Sequence, residues 1–437
     1  MTPQVTVVGA GLAGCEAAWA LAQAGVPVLL REMKPEKYSP AHTYPGFAEL
    51  VCSNSLKAMR LESAAGLLKE EMRMLGSVTM EAAARTAVSA GGALAVDRRA
   101  FSDEVTGKIR SHPLIQVEEG EVTRLPQGPV IIATGPLTSQ AFTREIEALC
   151  GGKGLSFFDA AAPIVTAASL DQEKIFYAAR YDRGEADYIN CPFNKVEYEA
   201  FYQELIHGET APLHDFDQAS PQVYEGCMPI EVLAKRGEDA IRYGPLKPVG
   251  LRDPRTGHRP WAVVQLRREN AEGSLYNMVG FQTNLKFGEQ KRIFSLIPGL
   301  EQAEFVRYGV MHRNTFIDSP RLLEPTCFLR DGRPIAFAGQ ITGVEGYIES
   351  AACGILAGKN MARRLAGRPP LILPRETMLG ALAAYISDPT VVNFQPMGSN
   401  MGILPPLDKP IRDKRQRYAQ IAQRAVDSLR AVLEKEE

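Results

Sequence analysis

The sequence lacks the features that mark membrane, secreted and disulfide-rich proteins. No apolar run reaches the roughly 18 to 20 residues that a membrane-spanning helix needs. The first residues, MTPQVTVVGAG, contain no basic segment with a small-residue cleavage site after it, so a secretion signal is not expected. The seven cysteines include no CxxC pair, and their odd number argues against a disulfide framework and against a zinc site. We therefore expect a cytoplasmic protein with reduced thiols and no bound metal.

The chain also lacks an excess of charge of either sign. A net charge of −2 excludes a protein that is basic overall, but it allows a local basic patch that grips a nucleic acid. The sequence has no internal repeats and no low-complexity segment. Its composition, with 45% hydrophobic and 23% charged residues, is that of a globular enzyme. A length of 437 residues is enough for two or three domains.

The first forty residues carry the clearest pattern. QVTVVG is typical of a buried strand, GLAGCEAAWALAQAG of an apolar helix, and VPVLLRE of a second strand. This strand–helix–strand unit predicts the α/β class with a doubly wound, mostly parallel sheet. Gly9, Gly11 and Gly14 form GxGxxG at the turn, and Glu32 follows at about the spacing of a carboxylate that binds a ribose hydroxyl. We expect a dinucleotide with its pyrophosphate at the helix N-terminus.

Two further segments favour FAD over NAD as that dinucleotide. The turn Ala133-Thr134-Gly135 resembles the ATG turn of flavoproteins with two dinucleotide-binding folds, and AGQITGVEGY resembles their second flavin segment. No second GxGxxG occurs, so NADH or NADPH must bind without a Rossmann domain of its own. The predicted cofactor-binding residues are Gly9, Ala10, Gly11, Leu12, Ala13, Gly14, Glu32, Met33, Val122, Ala133, Thr134, Gly135, Gly339, Gln340, Gly343, Glu345 and Gly346.

The middle of the chain changes character, which predicts an inserted α+β domain. Residues 162–309 contain more aromatic residues, prolines and charges than the flanking segments. We expect residues 1–161 to form the first part of the FAD-binding domain, and 310–437 its second part with a charged C-terminal helix. Within the first part, the patterns predict a loop over residues 41–60, a helix over about 56–75, a helix from near Arg99, and two short strands between 115 and 125.

Two cysteines stand out by their positions in the chain. Cys52, in ELVCSNSLK, precedes the expected helix, and Cys227, in YEGCMPIE, precedes a helix start marked by proline. A helix N-terminus stabilises a thiolate, which is the nucleophilic form of cysteine. Burial in a core also explains many cysteines, and it is our interpretation of Cys15 and Cys353 on apolar helices. The positions alone leave both interpretations open for Cys52 and Cys227.

Several segments together resemble one known family. The resemblance rests on VVGAGLAGCEAAWALA, VLLREMKP, ELVCSNSLK, YINCPFNK, YEGCMPIE, FQTNLKFGEQKR and AGQITGVEGYIESAACG. The chain resembles the bacterial folate- and FAD-dependent tRNA (uracil-5-)-methyltransferases over essentially its whole length. Larger proteins of the related glucose-inhibited division protein A family share the FAD pattern. They carry a long helical C-terminal extension, and their segment corresponding to CSNSLK differs.

The resemblance implies a reaction, substrates and a catalytic pair. The reaction is methylation of uridine 54 in the tRNA T-loop, with 5,10-methylenetetrahydrofolate as carbon donor and FAD, reduced by NADH or NADPH, as reductant. Cys52 and Cys227 are then the nucleophile at uracil C6 and an acid/base group, and we assign Cys227 as the nucleophile. The partner is the T-arm of tRNA, and no membrane or obligate protein partner is expected.

His312 lies where the insertion is expected to return to the α/β domain, and domain junctions are common ligand sites. From that position we predict that His312 lies beside the flavin, where its imidazole would stack on the folate pterin. The other expected substrate-binding residues are Arg313, Asn314, Lys286 and Arg292. Lys57, Arg60 and Lys291 are further candidates for RNA contact, although a single sequence does not separate them from solvated charges.

Three alternatives come from other functional classes. A wobble-uridine modifier of the larger related family is disfavoured by the missing extension. A generic FAD oxidoreductase with structural or redox thiols is disfavoured because CxxC and a nicotinamide-binding domain are missing. A non-catalytic flavin-containing RNA-binding protein is disfavoured by the two well-placed thiols.

Overall fold

The computed structural model describes residues 4–151, 154–160, 162–182, 186–211, 228–270, 272–309, 311–391 and 394–435. Its strands are β1 (Val5–Val8), β2 (Val28–Glu32), β3 (Ser55–Ala58), β4 (Ala87–Val88), β5 (Ala93–Val96), β6 (Ile115–Glu119), β7 (Val130–Ile132), β8 (Gly154–Ala160), β9 (Ile164–Thr166), β10 (Phe176–Tyr177), β11 (Tyr188–Phe193), β12 (Ala262–Arg268), β13 (Leu275–Met278), β14 (Phe305–Arg307), β15 (Met311–Ile317) and β16 (Ile335–Phe337). Its α-helices are α1 (Leu12–Gln23), α2 (Ala64–Met74), α3 (Val78–Arg85), α4 (Arg98–Ser111), α5 (Gln140–Leu149), α6 (Lys195–His207), α7 (Ile230–Ala234), α8 (Glu238–Arg242), α9 (Phe287–Phe294), α10 (Ser319–Leu322), α11 (Tyr347–Leu365), α12 (Met378–Tyr385) and α13 (Lys414–Leu433).

A parallel sheet in the order β16–β7–β1–β2–β6 confirms the predicted doubly wound α/β class. Successive side chains of a strand point to opposite faces, so each strand contributes to two apolar layers. Val7 and Ile131 are buried on the face covered by α1 and α11, while Val8 and Ile132 are buried on the face covered by α5. The turns after β1, β7 and β16 leave the carboxyl edge of the sheet, where open α/β sheets bind their ligands.

Glycine residues let α1 and α11 approach each other closely. A Cβ atom at Gly354 would lie 2.1 Å from the carbonyl oxygen of Ala13, and one at Gly358 would lie 2.6 Å from that of Ala17. These distances are far below van der Waals contact, so backbone meets backbone where the helices cross. Ala13 lies in the first turn of α1. The crossing therefore fixes the helix whose N-terminus carries the glycine-rich turn.

A second, antiparallel sheet follows the order β10–β11–β12–β13–β9–β14. It has its own core, in which Phe193, Phe201 and Phe281 are buried against helices α6 and α9. Strands β3, β5 and β4 form a small antiparallel sheet, and β8 pairs with β15. The six-stranded sheet is built from residues inside the predicted insertion, while the exact boundaries at 162 and 309 stay a prediction.

Some local expectations in the first part of the chain are wrong. The expected helix over residues 56–75 begins only at Ala64, where Ser63 caps it by accepting the N–H of Gly66, and Ser55–Ala58 is strand β3. The predicted loop over residues 41–60 therefore contains a strand. Of the two short strands expected between residues 115 and 125, only Ile115–Glu119 forms.

Other expectations are confirmed. Helix α4 begins at Arg98, one residue before the predicted start, because the Asp97 side chain caps it. The charged C-terminal helix is present as α13. Within the described ranges, the structure contains no helix that is both long and apolar enough to cross a membrane.

Candidate functional site

A cleft of about 990 Å³ opens at the carboxyl edge of the parallel sheet. Its lining includes residues from the turns after β1, β2, β7 and β16, as expected for a dinucleotide site at a topological switch point. The predicted cofactor-binding residues that line it are Gly9, Ala10, Gly11, Leu12, Ala13, Glu32, Met33, Val122, Ala133, Thr134, Gly135, Gly339 and Gln340.

The glycine-rich turn fits a bound pyrophosphate. Gly9 has φ +97°, and a Cβ there would lie 2.6 Å from the carbonyl oxygen of Ala133, so neither its conformation nor its space admits a side chain. A Cβ at Gly11 would meet no atom within 4 Å. Gly11 is therefore not required by packing, and its open face leaves room for phosphate oxygens at the N-terminus of α1.

Glu32 lies at the end of β2 with both carboxylate oxygens turned to the backbone. Its Oε2 accepts the N–H of Ala10 at 2.7 Å, and its Oε1 accepts the N–H of Lys34 at 3.0 Å. Each oxygen retains a further lone pair. The side chain lines the cleft, so it is held in place to accept a ribose hydroxyl. The residues present fit the adenosine half of FAD.

Four of the predicted cofactor-binding residues do not line the cleft. Gly14 packs on the glycine-rich turn, since a Cβ there would lie 1.7 Å from the carbonyl oxygen of Gly9. Gly343 has φ +83° and packs against Phe394, and Gly346, with φ +122°, directly precedes α11. Glu345 accepts the side-chain amide of Gln340 at 2.8 Å. Gly14 and Glu345 thus contact residues of the cleft wall rather than the cleft itself.

Cys52 lies against the first residue of α11 rather than at the start of a helix. The expectation that it precedes a helix is wrong, because strand β3 follows it. The backbone N–H of Cys52 donates to Tyr347 Oη at 2.7 Å, and Cys52 Sγ lies 2.9 Å from the same oxygen. The N–H of Ser53 also reaches it, at 3.3 Å. Tyr347 itself lines the cleft, so the Cys52 thiol is in contact with a residue of the dinucleotide site.

The Tyr347 hydroxyl has a defined donor role in this arrangement. Its oxygen accepts two backbone N–H groups, from Cys52 and Ser53, which leaves the phenolic proton for Cys52 Sγ. Burial raises the pKa of Tyr347 well above its usual value, and the nearby Cys52 adds to the rise. Tyr347 thus stays protonated, and its hydroxyl proton is left for a hydrogen bond to Cys52 Sγ.

Arg98 fixes the segment before the thiol. Its Nη1 donates to the carbonyl oxygens of Leu50 at 2.6 Å and Val51 at 3.2 Å. The same guanidinium forms an ion pair with Glu269, which follows the last residue of β12. Both side chains are largely buried, so the pair is shielded from solvent.

Arg267 fixes the segment after the thiol from the insertion sheet. Its Nη2 donates to Ser53 Oγ at 2.6 Å, and its Nε donates to Asn54 Oδ1 at 3.0 Å. Asn54 in turn donates to the carbonyl oxygens of Val96 at 3.0 Å and Arg268 at 2.8 Å. The loop that carries Cys52 is therefore held jointly by the flavin-type domain and the insertion.

The structure describes only part of the remaining candidate site. Cys227 lies outside the described residues, although helix α7 begins shortly after it, at Ile230. His312, Arg313 and Asn314 lie on strand β15, where their backbones pair with β8, and their side chains are outside the described set. The distance between the two thiols and the stacking of His312 both stay predictions.

Three of the expected RNA-binding cations have acidic partners. Lys57 Nζ lies 2.6 Å from Glu349 Oε1, a carboxylate with no exposed surface. The pairs on the exposed insertion surface are Lys286 with Glu209, and Arg292 with Glu204 and Glu289. Exposed ion pairs of this kind are weak and exchange readily for phosphate contacts, so the expectation that these cations contact RNA stays a prediction.

Sequence reasoning missed Tyr347 and the arginines around Cys52. Tyr347 had a usable signal, since it is the last residue of the predicted flavin segment AGQITGVEGY and the first residue of a helix. Arg98 and Arg267 had none, because their relation to Cys52 depends on how distant elements of the chain meet. Cys15 and Cys353 are buried in α1 and α11, which agrees with the packing interpretation.

The fold is that of an α/β flavoprotein of the FAD-binding class, with a dinucleotide-type cleft at the switch point of its parallel sheet. The model of the family "Glucose inhibited division protein A" matches residues 4–369. A crystal structure of GidA from Aquifex aeolicus superimposes with a TM-score of 0.70 at 17% identity, covering 98% of this chain and 73% of that one. That likeness shows the shared fold.

Curated relatives define the particular family. The chain is 56% identical over 430 residues to "Methylenetetrahydrofolate--tRNA-(uracil-5-)-methyltransferase TrmFO" of Ligilactobacillus salivarius, with 98% of each chain covered. It is 58% identical over 427 residues to the protein of the same name from Heliobacterium modesticaldum, with 97% of each chain covered. The chain belongs to the methylenetetrahydrofolate--tRNA-(uracil-5-)-methyltransferase family, a branch of the glucose inhibited division protein A family. The resemblance found in the sequence is confirmed.

Proposed function

We propose that this protein methylates C5 of uridine 54 in the T-loop of tRNA, with 5,10-methylenetetrahydrofolate as the carbon donor. The names of full-length relatives support the reaction class. The observation that carries the chemistry is Cys52 Sγ at 2.9 Å from the hydroxyl of Tyr347, a residue of the FAD cleft. A thiol held at that edge meets a substrate that enters beside the flavin.

Reduced FAD, when bound, would supply the reducing equivalent that turns the transferred methylene into a methyl group, with NADH or NADPH as its reductant. The turn after β1 would hold its pyrophosphate, and Glu32 would hold its ribose. The chain's own groups bind the uracil, form and break the thioether, and move the C5 proton.

The thiols are needed because uracil C5 is a poor nucleophile. A thiolate that adds to C6 forms an S–C6 bond, and the C5=C6 electron pair moves through C4 to O4 as an enolate. The enolate carbon C5 then attacks the methylene carbon of the folate, and one of the two C–N bonds of that carbon breaks as its electron pair goes to nitrogen. A base removes the C5 proton as the second C–N bond breaks and releases the folate, which leaves an exocyclic methylene on C5. Addition of the reducing equivalent to that methylene makes the methyl group, and the electron pair returned to C5 restores the C5=C6 bond as the S–C6 bond breaks and the thiolate leaves.

We assign Cys227 as the nucleophile and Cys52 as the acid/base group. Cys52 is tied by its backbone and Sγ to Tyr347, which suits a group that exchanges a proton in a fixed place. Cys227 belongs to the insertion, which would close over the flavin face together with the RNA. The proposal keeps the expectation of a cytoplasmic enzyme without an obligate protein partner.

The proposal is tested with the purified holoprotein, T-arm-unmodified tRNA, 5,10-methylenetetrahydrofolate and NADPH or NADH. We expect 5-methyluridine at position 54, and none in a matched tRNA that carries cytidine there. Product at the wobble position would instead support the larger relatives' activity. Nicotinamide oxidation that is indifferent to tRNA would support a small-molecule oxidoreductase.

The roles of the thiols are tested with tRNA that contains 5-fluorouridine. Fluorine at C5 does not leave as a proton does, so the thioether is trapped and its peptide is identified by mass spectrometry. We expect the adduct on Cys227. An adduct on Cys52 would exchange the two roles, and full methylation by a Cys52→Ala, Cys227→Ala double variant would refute the mechanism.

A further inference from the structure

Three aromatic rings form a stack at the start of helix α9. The ring centroids of Phe305 and Tyr308 lie 5.2 Å apart with 13° between the ring planes, and those of Tyr308 and Phe287 lie 5.0 Å apart with 17°. Phe305 also packs on Phe294, which is buried in the core of the insertion. The stack therefore leads from that core to the surface, where the side chain of Phe287 is 56% exposed.

The exposure of Phe287 is unusual for its residue type. Among the side chains that the structure describes, it is the only exposed phenylalanine, and the other exposed aromatic residues are tyrosines, whose hydroxyl groups favour contact with water. A phenyl ring has no such group, so its open surface stays in contact with water at a cost in free energy. A flat ring at the end of a packed stack is the kind of surface on which nucleic-acid bases stack.

Gln290 holds the stack in place from inside helix α9. Its buried side-chain amide donates to the carbonyl oxygen of Gly309 at 2.8 Å and accepts the N–H of Gly309 at 2.8 Å. The same amide nitrogen donates to the carbonyl oxygen of Leu285 at 2.7 Å. These are the residue after Tyr308 and the second residue before Phe287, so one side chain fixes the backbone beside both outer rings. A surface that is already ordered loses little entropy when a ligand binds.

The stack adjoins the part of the insertion to which the segment with Cys227 is attached. Asn284 lies three residues before Phe287, and its carbonyl oxygen accepts the N–H of Ala211 at 2.8 Å. Its own backbone N–H donates to Glu231 Oε1, also at 2.8 Å. Ala211 and Glu231 are described residues on the two sides of Cys227 in the sequence. We therefore expect an RNA loop that presents its uracil to Cys227 to reach the surface around Phe287.

A cation accompanies the open ring. Lys291 lies four residues after Phe287 on the same face of α9, and its side chain is exposed. The neighbouring Lys286 and Arg292 have acidic partners, so the surface as a whole carries little net charge. A ligand that binds here must therefore gain from the ring as well as from charge. A nucleotide does both, because its base is flat and aromatic and its phosphate is an anion.

We propose that the open face of Phe287 stacks on an unpaired base of the tRNA loop that carries the target uridine, with Lys291 beside the phosphate of that nucleotide. The inference rests on the proposed function, which makes this loop the substrate. A uridine that is drawn out of its stack leaves a neighbouring base with an uncovered face. A phenyl ring covers such a face without reading the hydrogen-bonding edge of the base, so Phe287 holds the loop open without setting its sequence.

The proposal is tested on FAD-loaded protein with unmodified T-arm hairpins. One hairpin is intact, and each of the others lacks the base of a single loop nucleotide other than the target uridine. Phe287→Ala removes the ring, and Phe287→Leu keeps an apolar side chain without the flat face. Tyr177→Ala is the matched control, because Tyr177 is 51% exposed on β10, at the opposite edge of the insertion sheet from β14. The measurement is the Kd of each protein for each hairpin.

We expect Phe287→Ala to raise the Kd for the intact hairpin by roughly 5- to 150-fold, the usual effect of removing one stacking side chain. Phe287→Leu should raise it nearly as much, whereas Tyr177→Ala should stay within about twofold of wild type. One hairpin that lacks a base should bind the wild-type protein more weakly than the intact hairpin does. The same hairpin should bind Phe287→Ala as well as the intact one, because the stacking contact is already lost.

A wild-type Kd in Phe287→Ala would overturn the proposal, and a wild-type Kd in Phe287→Leu alone would overturn it in favour of a plain apolar contact. Losses that add up for every hairpin would overturn it in favour of a general change in structure. Unchanged RNA binding together with weaker self-association of Phe287→Ala would overturn it in favour of an interface between copies of the chain. Should Phe287→Ala not retain FAD, Phe287→Leu decides by the same comparison of hairpins.

Two results keep this inference separate from the proposed function. If the wild-type protein neither binds the intact hairpin nor methylates tRNA, the proposed function is wrong. If the wild-type protein methylates uridine 54 but Phe287→Ala binds every hairpin as the wild type does, the inference alone is wrong.

Discussion

Replacing Tyr347 with phenylalanine removes one oxygen atom from the edge of the cleft and leaves the ring in place. That oxygen accepts the N–H of Cys52 at 2.7 Å and lies 2.9 Å from Cys52 Sγ. The substitution therefore deletes the donor to the thiol without altering the apolar surface toward the flavin. It isolates the effect of one hydroxyl on the chemistry of Cys52.

The size of the effect follows from the kind of hydrogen bond that is lost. A hydrogen bond to a charged group such as a thiolate contributes about 1.5 to 3 kcal/mol. Each 1.36 kcal/mol corresponds to a tenfold change in rate, so methyl transfer should slow by roughly 10- to 150-fold. The N–H groups of Cys52 and Ser53 lose their acceptor, but both residues are only partly buried and water can replace it. The free energy of unfolding should fall by only about 1 kcal/mol.

The assay is single-turnover methyl transfer to tRNA by Tyr347→Phe, compared with wild type at equal FAD content. Tyr202→Phe is the control, because the Tyr202 hydroxyl donates to the carbonyl oxygen of Ala234 within the insertion, at 3.2 Å. We expect the control to keep the wild-type rate. A wild-type rate in Tyr347→Phe, or an equal slowing in the control, would refute the reasoning.

Further predictions concern the cofactor, the helix crossing and pH. Gly11→Val should yield a folded protein without the yellow flavin colour, because the side chain enters the space left for phosphate; full absorbance near 450 nm would contradict this. Gly354→Ala should lower the free energy of unfolding by about 1 to 3 kcal/mol, and the thermal midpoint with it, because its Cβ would lie 2.1 Å from the Ala13 carbonyl oxygen. Gly107→Ala in α4 is the control: its Cβ would meet no atom within 4 Å, so this variant should not be destabilised. Burial raises the pKa of Glu71 from 4.5 to about 8, so the folded protein holds a proton that the unfolded chain releases. Stability should therefore fall by up to about 1.4 kcal/mol per pH unit between those values, and Glu71→Gln should lose that part of the slope in thermal unfolding at pH 5 to 8; an unchanged slope would contradict the assignment.

The dinucleotide site could be predicted because its signals are local in sequence. GxGxxG combines a turn, a helix start and a close packing contact within six positions, and each of these three features requires a glycine at a fixed place in the motif. Glu32 ends a strand whose pattern is equally plain. The structure places these residues around one cleft because the carboxyl ends of adjacent parallel strands meet at one edge.

The surroundings of Cys52 could not be predicted in the same way. Its hydrogen-bond partner Tyr347 is 295 residues away, and Arg267 is separated from Ser53 by 214 residues. The local pattern was also misleading, since the segment SLKA after the thiol forms a strand and the helix begins only at Ala64, directly after its cap Ser63. Local sequence reports local structure, whereas this loop is shaped by contacts between distant elements.

These distant contacts bear on what the insertion does. Arg267 on β12 donates to Ser53 and Asn54, directly after the thiol, while Arg98 from the flavin-type domain holds the residues directly before it. Because both arginines contact one short loop, we expect a change in the insertion sheet to alter the position of Cys52 relative to Tyr347. In the proposed mechanism the insertion is therefore part of the catalytic framework, and we expect a chain that kept only the parallel-sheet domain to lack a correctly placed thiol.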